Sequence, residues 1–511
     1  MPLGSAPDMP GRSAGGVVLW LEQAMAAEAE AGVPSVAPPL AGRVGAAVCV
    51  VGGGFTGLWT AIEIKERHPD ADVVLLEAAS CGFGASGRNG GWATGWHDEL
   101  DHLIELWGLD DALLLAEESS RAIAHIGETC DRYGIDGGFR QHGALWVAST
   151  PAQLGASSGA LDACRAHGRS GLLEEVSEVE VRQHTGAAGL LGGARHTDAA
   201  AVHPGRLVRG LRQVAVRLGV RLHEGTPVLA VEDSAPAVVH TLAGRVEADA
   251  VVLALGAWSG LLEELRRAFV VVGSHIVATE PLGSRLDPWP WAEGELLGDS
   301  QTSVHYAQVS PDRRIVFGRG LGTIGWRSSP SARQFFDPKV TRAVEGDFRR
   351  WFPSLADARF THAWGGAVDR SPTHLPFVGT WGEAGNVHYG AGFSGNGVAP
   401  SVVVAKTLAS LATQSPDRLT RSALATGPRA LLPPEPLRSL GGTVVRRAVV
   451  HADDTEAAGG TPSLASRSLR HLVHFSLPST GPLAGGSLTG LRRRLARRNA
   501  TAAGPDGQHA R

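Results

Sequence analysis

Hydrophobic positions along this chain alternate between two rhythms. Continuous apolar runs of strand length occur at "AAVCVV" (46–51), "ADVVLLEA" (71–78) and "VVLALGAW" (251–258). Between them, "LWTAIEIKERHPD" (58–70) and "HPGRLVRGLRQVAVRLGV" (203–220) place apolar residues at helical spacing. The run at 46–51, a glycine turn, the helix and the run at 71–78 predict a β-turn-α-β unit, the smallest piece of a parallel sheet. Helices are also predicted over 98–135, in "KVTRAVEGDFRRWFP" before Pro353, and in "SVVVAKTLASLAT" (401–413). Strands are predicted in "GFRQHGALWVAST", "FVVVGSHIVATE" and "RRIVFGRG". Ahead of the first unit, "VVLWLEQAMAAEAEAG" reads as a short helix followed by a Pro-containing linker. From 451 onward the periodicity collapses into Gly, Ser, Ala and Pro, which predicts a largely disordered tail. Its cluster at Arg492–Arg494 and Arg497–Arg498 reads as a solvated charge run rather than a nucleic-acid contact.

Composition narrows the class. A chain of 511 residues, 43% apolar, is long enough for two or three domain-sized units with their own cores. A formal net charge of −4 offers no global reason to expect a nucleic-acid or membrane partner. No run approaches the length of a membrane span, and the first residues lack the pattern of a signal peptide. Four cysteines without a C-x-x-C pair predict a reducing, cytoplasmic setting, and no metal-ligating set is read.

With 67 glycines, roughly one G-x-G-x-x-G match is expected by chance, so context must decide. Gly52, Gly54 and Gly57 have that context. They follow a strand and open a helix at Phe55 and Thr56, and Glu77 ends the next strand. Such a turn brings backbone close to a pyrophosphate and aims a helix N-terminus at its charge. A carboxylate at Glu77 accepts hydrogen bonds from a ribose, which disfavours a 2′-phosphate and leaves NAD and FAD open. Gly390, Gly392 and Gly395 form a second match in "HYGAGFSGNGVAP" (388–400). A third, Gly82, Gly84 and Gly87, is read as a chance match.

Three stretches, "GASGRNGGW", "VVLALGAWSG" and "VHYGAGFSGNGVAPSVVVAKTLASL", together resemble the D-amino-acid-oxidase-like (DAO) superfamily of FAD-dependent amine oxidoreductases from about residue 45 to 411. "GRNGG", "WGGAVDRSPTHLPFVG" and "GFSGNGVAP" are similar to its γ-glutamylputrescine oxidase-like branch. "LWLEQAMAAE" and "PPEPLRSLGGTVVRRA" are similar to aminophosphonate oxidoreductases. The resemblance implies an α/β fold: a Rossmann-like FAD-binding domain assembled from residues 45–97, 196–262 and 362–425, with an inserted antiparallel-sheet substrate domain from 98–195 and 263–361. An N-terminal extension (1–44), a C-terminal segment (426–450) and the tail (451–511) complete the chain.

By the same resemblance, Ser86, Arg88, Asn89 and Gly90 line the cofactor, Val228 packs near adenine, and Gly256 lies near the pyrophosphate. Gly392, Gly395, Asn396 and Gly397 serve the flavin end. The two distant turns would thus hold one extended cofactor. No Cys stands near 365–367 and no His within 88–91, where relatives attach flavin, so non-covalent FAD is expected. Arg319, His305 and Tyr306 are the catalytic candidates, with Arg370 and His374 near the flavin. The implied reaction oxidises the C–N bond of a small primary or secondary amine or amino acid to an imine, which water hydrolyses. Oxygen is the expected acceptor, giving hydrogen peroxide. A DAO-fold enzyme acting on a modified tRNA base, a non-catalytic flavin-binding subunit and an NAD-dependent dehydrogenase remain alternatives.

Overall fold

The computed structural model describes residues 16–474 and 477–478. Its organising element is the strand Gly42–Val51, paired in parallel with Val73–Leu76 on one side and Gly244–Leu253 on the other. Arg221–His223 and Val387–Ala391 extend this parallel sheet at either edge. Successive strand residues face opposite sides. Val48 and Val50 therefore enter a core shared with the helices Phe55–Arg67, Pro204–Arg217 and Pro400–Ala412. Cys49 and Val51 enter a second core beneath the strands Val228–Glu232 and Ala237–Thr241.

A second eight-stranded sheet runs from Phe360–Arg370 to Leu173–Ser177. It is antiparallel except where Leu296–Asp299 pairs in parallel with Ala144–Val147. The helix Pro338–Trp351 covers one face with Val344, Phe348 and Trp351. The opposite face brings Ile276, Val316 and Trp364 against Trp20.

Three segments depart from the expected partition. Phe360–Arg370, expected mostly in the cofactor domain, pairs along its length with Val270–Thr279 in the second sheet. The helix Leu109–Tyr133, expected in the substrate domain, buries Leu115, Ile123 and Ile126 in the first domain's core. The expected loss of order at 451 is corrected: a helix spans Leu437–Ala457 and another Leu464–Arg470. A tertiary hydrogen bond and an ion pair hold the first of these where local pattern is weak. Asp453 accepts from the Ser303 backbone at 2.9 Å, and Asp454 pairs with Arg319 at 2.7 Å. The arginine cluster at 492–498 lies outside the described residues. Among the described residues, no helix is long and apolar enough to cross a membrane.

The N-terminal helix Leu19–Glu30 packs on Pro204–Arg217 through a buried ion pair, Arg209 to Glu28 at 2.7 Å, with side chains 2% and 4% exposed. Truncating Glu28 leaves the buried Arg209 charge with one carboxylate, Glu224, at a longer 3.4 Å. Glu28→Ala is expected to cost about 3 kcal/mol, read as a lower denaturant midpoint; an unchanged midpoint would show that this helix is not anchored by its charge.

Candidate functional site

The first glycine turn is shaped by close backbone approach. Gly52 has a φ of 114°, and a Cβ there would stand 2.3 Å from the Ala254 carbonyl. A Cβ on Gly57 would meet the Gly52 carbonyl oxygen at 1.9 Å, so glycine lets the helix press onto the strand. No side chain caps the helix at Gly54, and its first N–H, from Phe55, donates to Ser86 Oγ at 2.8 Å. Glu77 accepts from the N–H groups of Gly53 at 2.7 Å and Ala79 at 2.8 Å. Burial raises its pKa, and those two donors oppose the rise.

The loop that follows is pinned by its carbonyls. Arg88 O accepts from Trp364 Nε1 at 2.8 Å, Asn89 O from Trp20 Nε1 at 3.0 Å, and Gly90 O from Gln308 Nε2 at 2.6 Å. The Arg88 guanidinium lies over the adjacent rings of Phe83 and Phe335, 5.1 and 5.0 Å from their centroids. Burial lowers its pKa to about 10, so it stays charged at neutral pH.

The second turn is fixed by Asp369, which accepts from the Gly392 N–H at 2.6 Å. Burial pushes this carboxyl up to about 6. Gly395 then takes a φ of 101°, and the helix Pro400–Ala412 begins without a side-chain cap. Asn396 reaches across to Thr94 at 3.2 Å.

Both turns open on one cavity of about 580 Å³. Its wall includes Gly52, Gly54, Phe55, Thr56, Glu77, Ser86, Arg88, Asn89, Gly90, Val228 and Gly256, together with Gly395, Asn396 and Gly397. Gly57 and Gly392 stand behind the wall, where they set backbone packing. The third glycine match, discounted as chance, also contributes: Gly82 and Gly84 line the cavity.

Trp92, Trp146 and Tyr306 form the aromatic part of the cavity, its chamber. The two indoles meet edge to face at 5.6 Å, and Tyr306 Oη bonds Ser274 Oγ at 2.6 Å. Asp98, Glu99 and Arg370 add charge to the same wall. Burial, then the neighbouring Asp98, raise Glu99 to about 8. Burial lowers Arg370 to about 10, opposed by Glu99. Arg370 Nη2 lies 3.0 Å from His374 Nε2. Asp98, Glu99 and the two indoles escaped the sequence reading because they belong to no motif and converge only through the fold.

Two expected catalytic positions lie elsewhere. Arg319 and His305 do not line the cavity. His305 bridges Asp299 and Asp347, both at 2.9 Å, and Arg319 joins Asp347 at 3.0 Å and Asp454 at 2.7 Å. Each cation is held by carboxylates, buried at Asp299 and Asp347 and exposed at Asp454, so the network ties the C-terminal helix to the second sheet. Of the three candidates, only Tyr306 borders the chamber.

The family profile described as FAD dependent oxidoreductase (DAO) matches residues 47–411. The chain belongs to this family. It is 29% identical to gamma-glutamylputrescine oxidoreductase of Escherichia coli over 368 residues, covering 71% of this chain and 83% of that protein. It is 24% identical to glycine oxidase of Bacillus licheniformis over 377 residues, covering 72% and 93%. Glycine oxidase from Geobacillus kaustophilus shares the fold, with a TM-score of 0.60 at 22% identity over 73% of this chain and 96% of that one. The chain is thus an FAD-dependent oxidoreductase of the amine and amino-acid oxidising kind. The residues present fit that cofactor: the helix start at Phe55 and Thr56, the carboxylate of Glu77 and the second glycine turn at Gly395–Val398 line one cavity.

Two outcomes follow. Gly57→Ala forces its methyl into the Gly52 carbonyl and should weaken FAD retention by roughly 100-fold, about the 2.7 kcal/mol that two factors of ten represent, measured by flavin absorbance after dialysis. His305 is raised to about 9, because Asp299 and Asp347 outweigh the burial that lowers it. Its stabilisation is complete below about pH 6.5 and is lost as pH climbs through about 9. Melting temperature should fall across that window, and His305→Gln should flatten the fall.

Proposed function

We propose that this enzyme oxidises the C–N bond of a small primary or secondary amine that also carries an anionic group, such as a carboxylate or phosphonate. The product imine is hydrolysed by water to an aldehyde or keto acid, and oxygen accepts the electrons to give hydrogen peroxide. One observation carries this reading: an acid, Glu99, and an arginine, Arg370, near enough to feel each other's charge, line the same cavity as the aromatic trio. The likeness to gamma-glutamylputrescine oxidoreductase and glycine oxidase supports the amine class.

Glu77 and the helix start at Phe55 and Thr56 would hold the adenosine and pyrophosphate of FAD, with Ser86, Arg88, Asn89 and Gly90 along its length. Val228 and Gly256 would bound the adenine side, and Gly395, Asn396 and Gly397 the flavin side. FAD, when bound, supplies the hydride acceptor. None of the four cysteines lines the cavity, which supports non-covalent attachment. All four are free thiols and buried, in keeping with a reducing, cytoplasmic setting.

The side chains around the chamber divide the remaining work. Trp92, Trp146 and Tyr306 exclude water and orient the reacting carbon. Arg370 receives the anionic group through charge-assisted hydrogen bonds. An amine releases a hydride only when it is neutral, so a proton must leave the bound ammonium. Glu99 Oε is the acceptor for that proton once the carboxyl is ionised. Arg88 keeps a positive charge on the wall, favourable to negative charge developing during reoxidation.

The test is anaerobic bleaching of the bound flavin by 2-aminoethylphosphonate, γ-glutamylputrescine, sarcosine and glycine. Bleaching by one of them supports the proposal; a flavin that none of them bleaches would move the reading to a macromolecular amine or a flavin-carrying subunit. For the amine that reacts, kcat/KM should rise with pH through about 8, where Glu99 ionises. Glu99→Gln should remove that rise, and a profile unchanged by it would assign the rise to the amine itself. Arg370→Ala should raise KM by roughly 100-fold, the scale of one charge-assisted contact.

A further inference from the structure

Behind Asp98 and Glu99, three side chains from separate parts of the chain converge. His97 opens the short turn His97–Glu99, His196 ends the strand Gly192–His196, and Asp198 sits in the turn after it. One donor atom from each lies within 4.8 Å of the other two. His97 is 0% and His196 2% exposed, and His196 also borders the cavity.

Two of the four ring nitrogens, His97 Nε2 and His196 Nδ1, lack a partner. His97 Nδ1 lies 3.1 Å from Ser120 Oγ. A ring N–H donated to that hydroxyl leaves Nε2 as a bare lone pair, and Nε2 has no hydrogen-bond partner. His196 Nε2 and Asp198 Oδ1 make an ion-pair contact at 2.9 Å, and Ser120 also reaches the Asp198 carboxylate, whereas His196 Nδ1 has no hydrogen-bond partner. Asp98 Oδ1, next to His97 in the chain, is unpartnered as well. Leaving His97 Nε2, His196 Nδ1 and Asp98 Oδ1 unpaired in the interior costs about 1–3 kcal/mol each.

We propose that His97, His196 and Asp198 bind one divalent first-row transition-metal ion, which fixes the Asp98–Glu99 turn at the amine end of the cavity. Two imidazoles and one carboxylate are a donor set suited to such an ion. Ligand atoms at 2.0–2.2 Å from a tetrahedral centre stand roughly 3.4 Å apart, a separation that falls between the 2.9 Å His196–Asp198 edge and the 4.8 Å limit of the present triangle. The hydrogen bond to Ser120 is the outer-shell contact that commonly selects the metal-binding tautomer. The fourth position is left to water or Asp98. The two histidines lie far apart in sequence, which is why no metal-ligand spacing could be read there. Binding stands on these residues alone; the effect on Glu99 rests on the amine reading above.

The experiment uses the full, FAD-loaded protein. Metal content is measured on the protein as isolated. After chelation, Zn²⁺ is titrated calorimetrically. One ion per chain is expected in either measurement. Asp198→Asn, nearly isosteric, and His97→Gln should each weaken Zn²⁺ binding by roughly 100-fold while flavin absorbance is retained. Zn²⁺ should also raise the melting temperature of the native protein and not of the variants. Failure to bind Zn²⁺ with FAD in place, or binding equal in the variants, overturns the proposal. These readouts need no amine turnover, so they stand apart from the assigned reaction. If binding holds, chelation should raise KM for the reactive amine more than it changes kcat. An unchanged KM would remove the positioning role.

Discussion

A helix that begins inside a protein without a capping side chain exposes backbone N–H groups and the positive end of its dipole to a buried space. That constraint organises this molecule. The helix Phe55–Arg67 starts this way at the C-terminal end of the strand Gly42–Val51. The helix Pro400–Ala412 begins just behind the cavity's other side, where the turn Gly395–Val398 forms the wall. At the first helix Ser86 Oγ takes only the Phe55 N–H, and the dipole of each helix start favours a ligand with negative charge nearby. The parallel sheet sets the strand ends, glycine at Gly52 and Gly57 permits the approach, and the pinned carbonyls of Arg88, Asn89 and Gly90 close the wall between them.

The second sheet contributes differently. Its face toward the cofactor domain carries Tyr306 and Trp146, whereas its charged network of His305, Arg319, Asp299 and Asp347 is turned away from the cavity. Charge in the interior thus serves two separate ends. The paired set fastens the C-terminal helix to the sheet. The unpaired or loosely paired set, Glu99 and Arg370 among it, faces the chamber where a charged substrate would complete it.

Much of this was legible in the sequence where local pattern and tertiary role coincide. The strand at 46–51, its glycine turn and Glu77 declared themselves because a dinucleotide fold needs them at short, fixed spacing. "GRNGG" and "GFSGNGVAP" became legible only through family resemblance, since Gly-rich turns are common in this composition. Gly82 and Gly84 were discounted for the same reason, yet they line the cavity. Arg319 carried a plausible motif position, but its carboxylate partners at 347 and 454 lie too far along the chain for pairing to be foreseen. The helix Leu437–Ala457 was not read, and its last turn fell in the expected disordered tail, because contacts with Ser303 and Arg319, rather than its own pattern, hold its end. Asp98, Glu99, His97 and His196 belong to no spacing rule and meet only in three dimensions.

The central claim is that the two distant glycine turns grip opposite ends of a single FAD. A crystal structure of the FAD-loaded protein tests it most directly. The account predicts the ribose on Glu77, the pyrophosphate at Phe55 and Thr56, and the flavin ring beside Gly395–Gly397, facing Tyr306 and Trp92. A cofactor that touches the first turn while its ring lies away from 395–397 would contradict it.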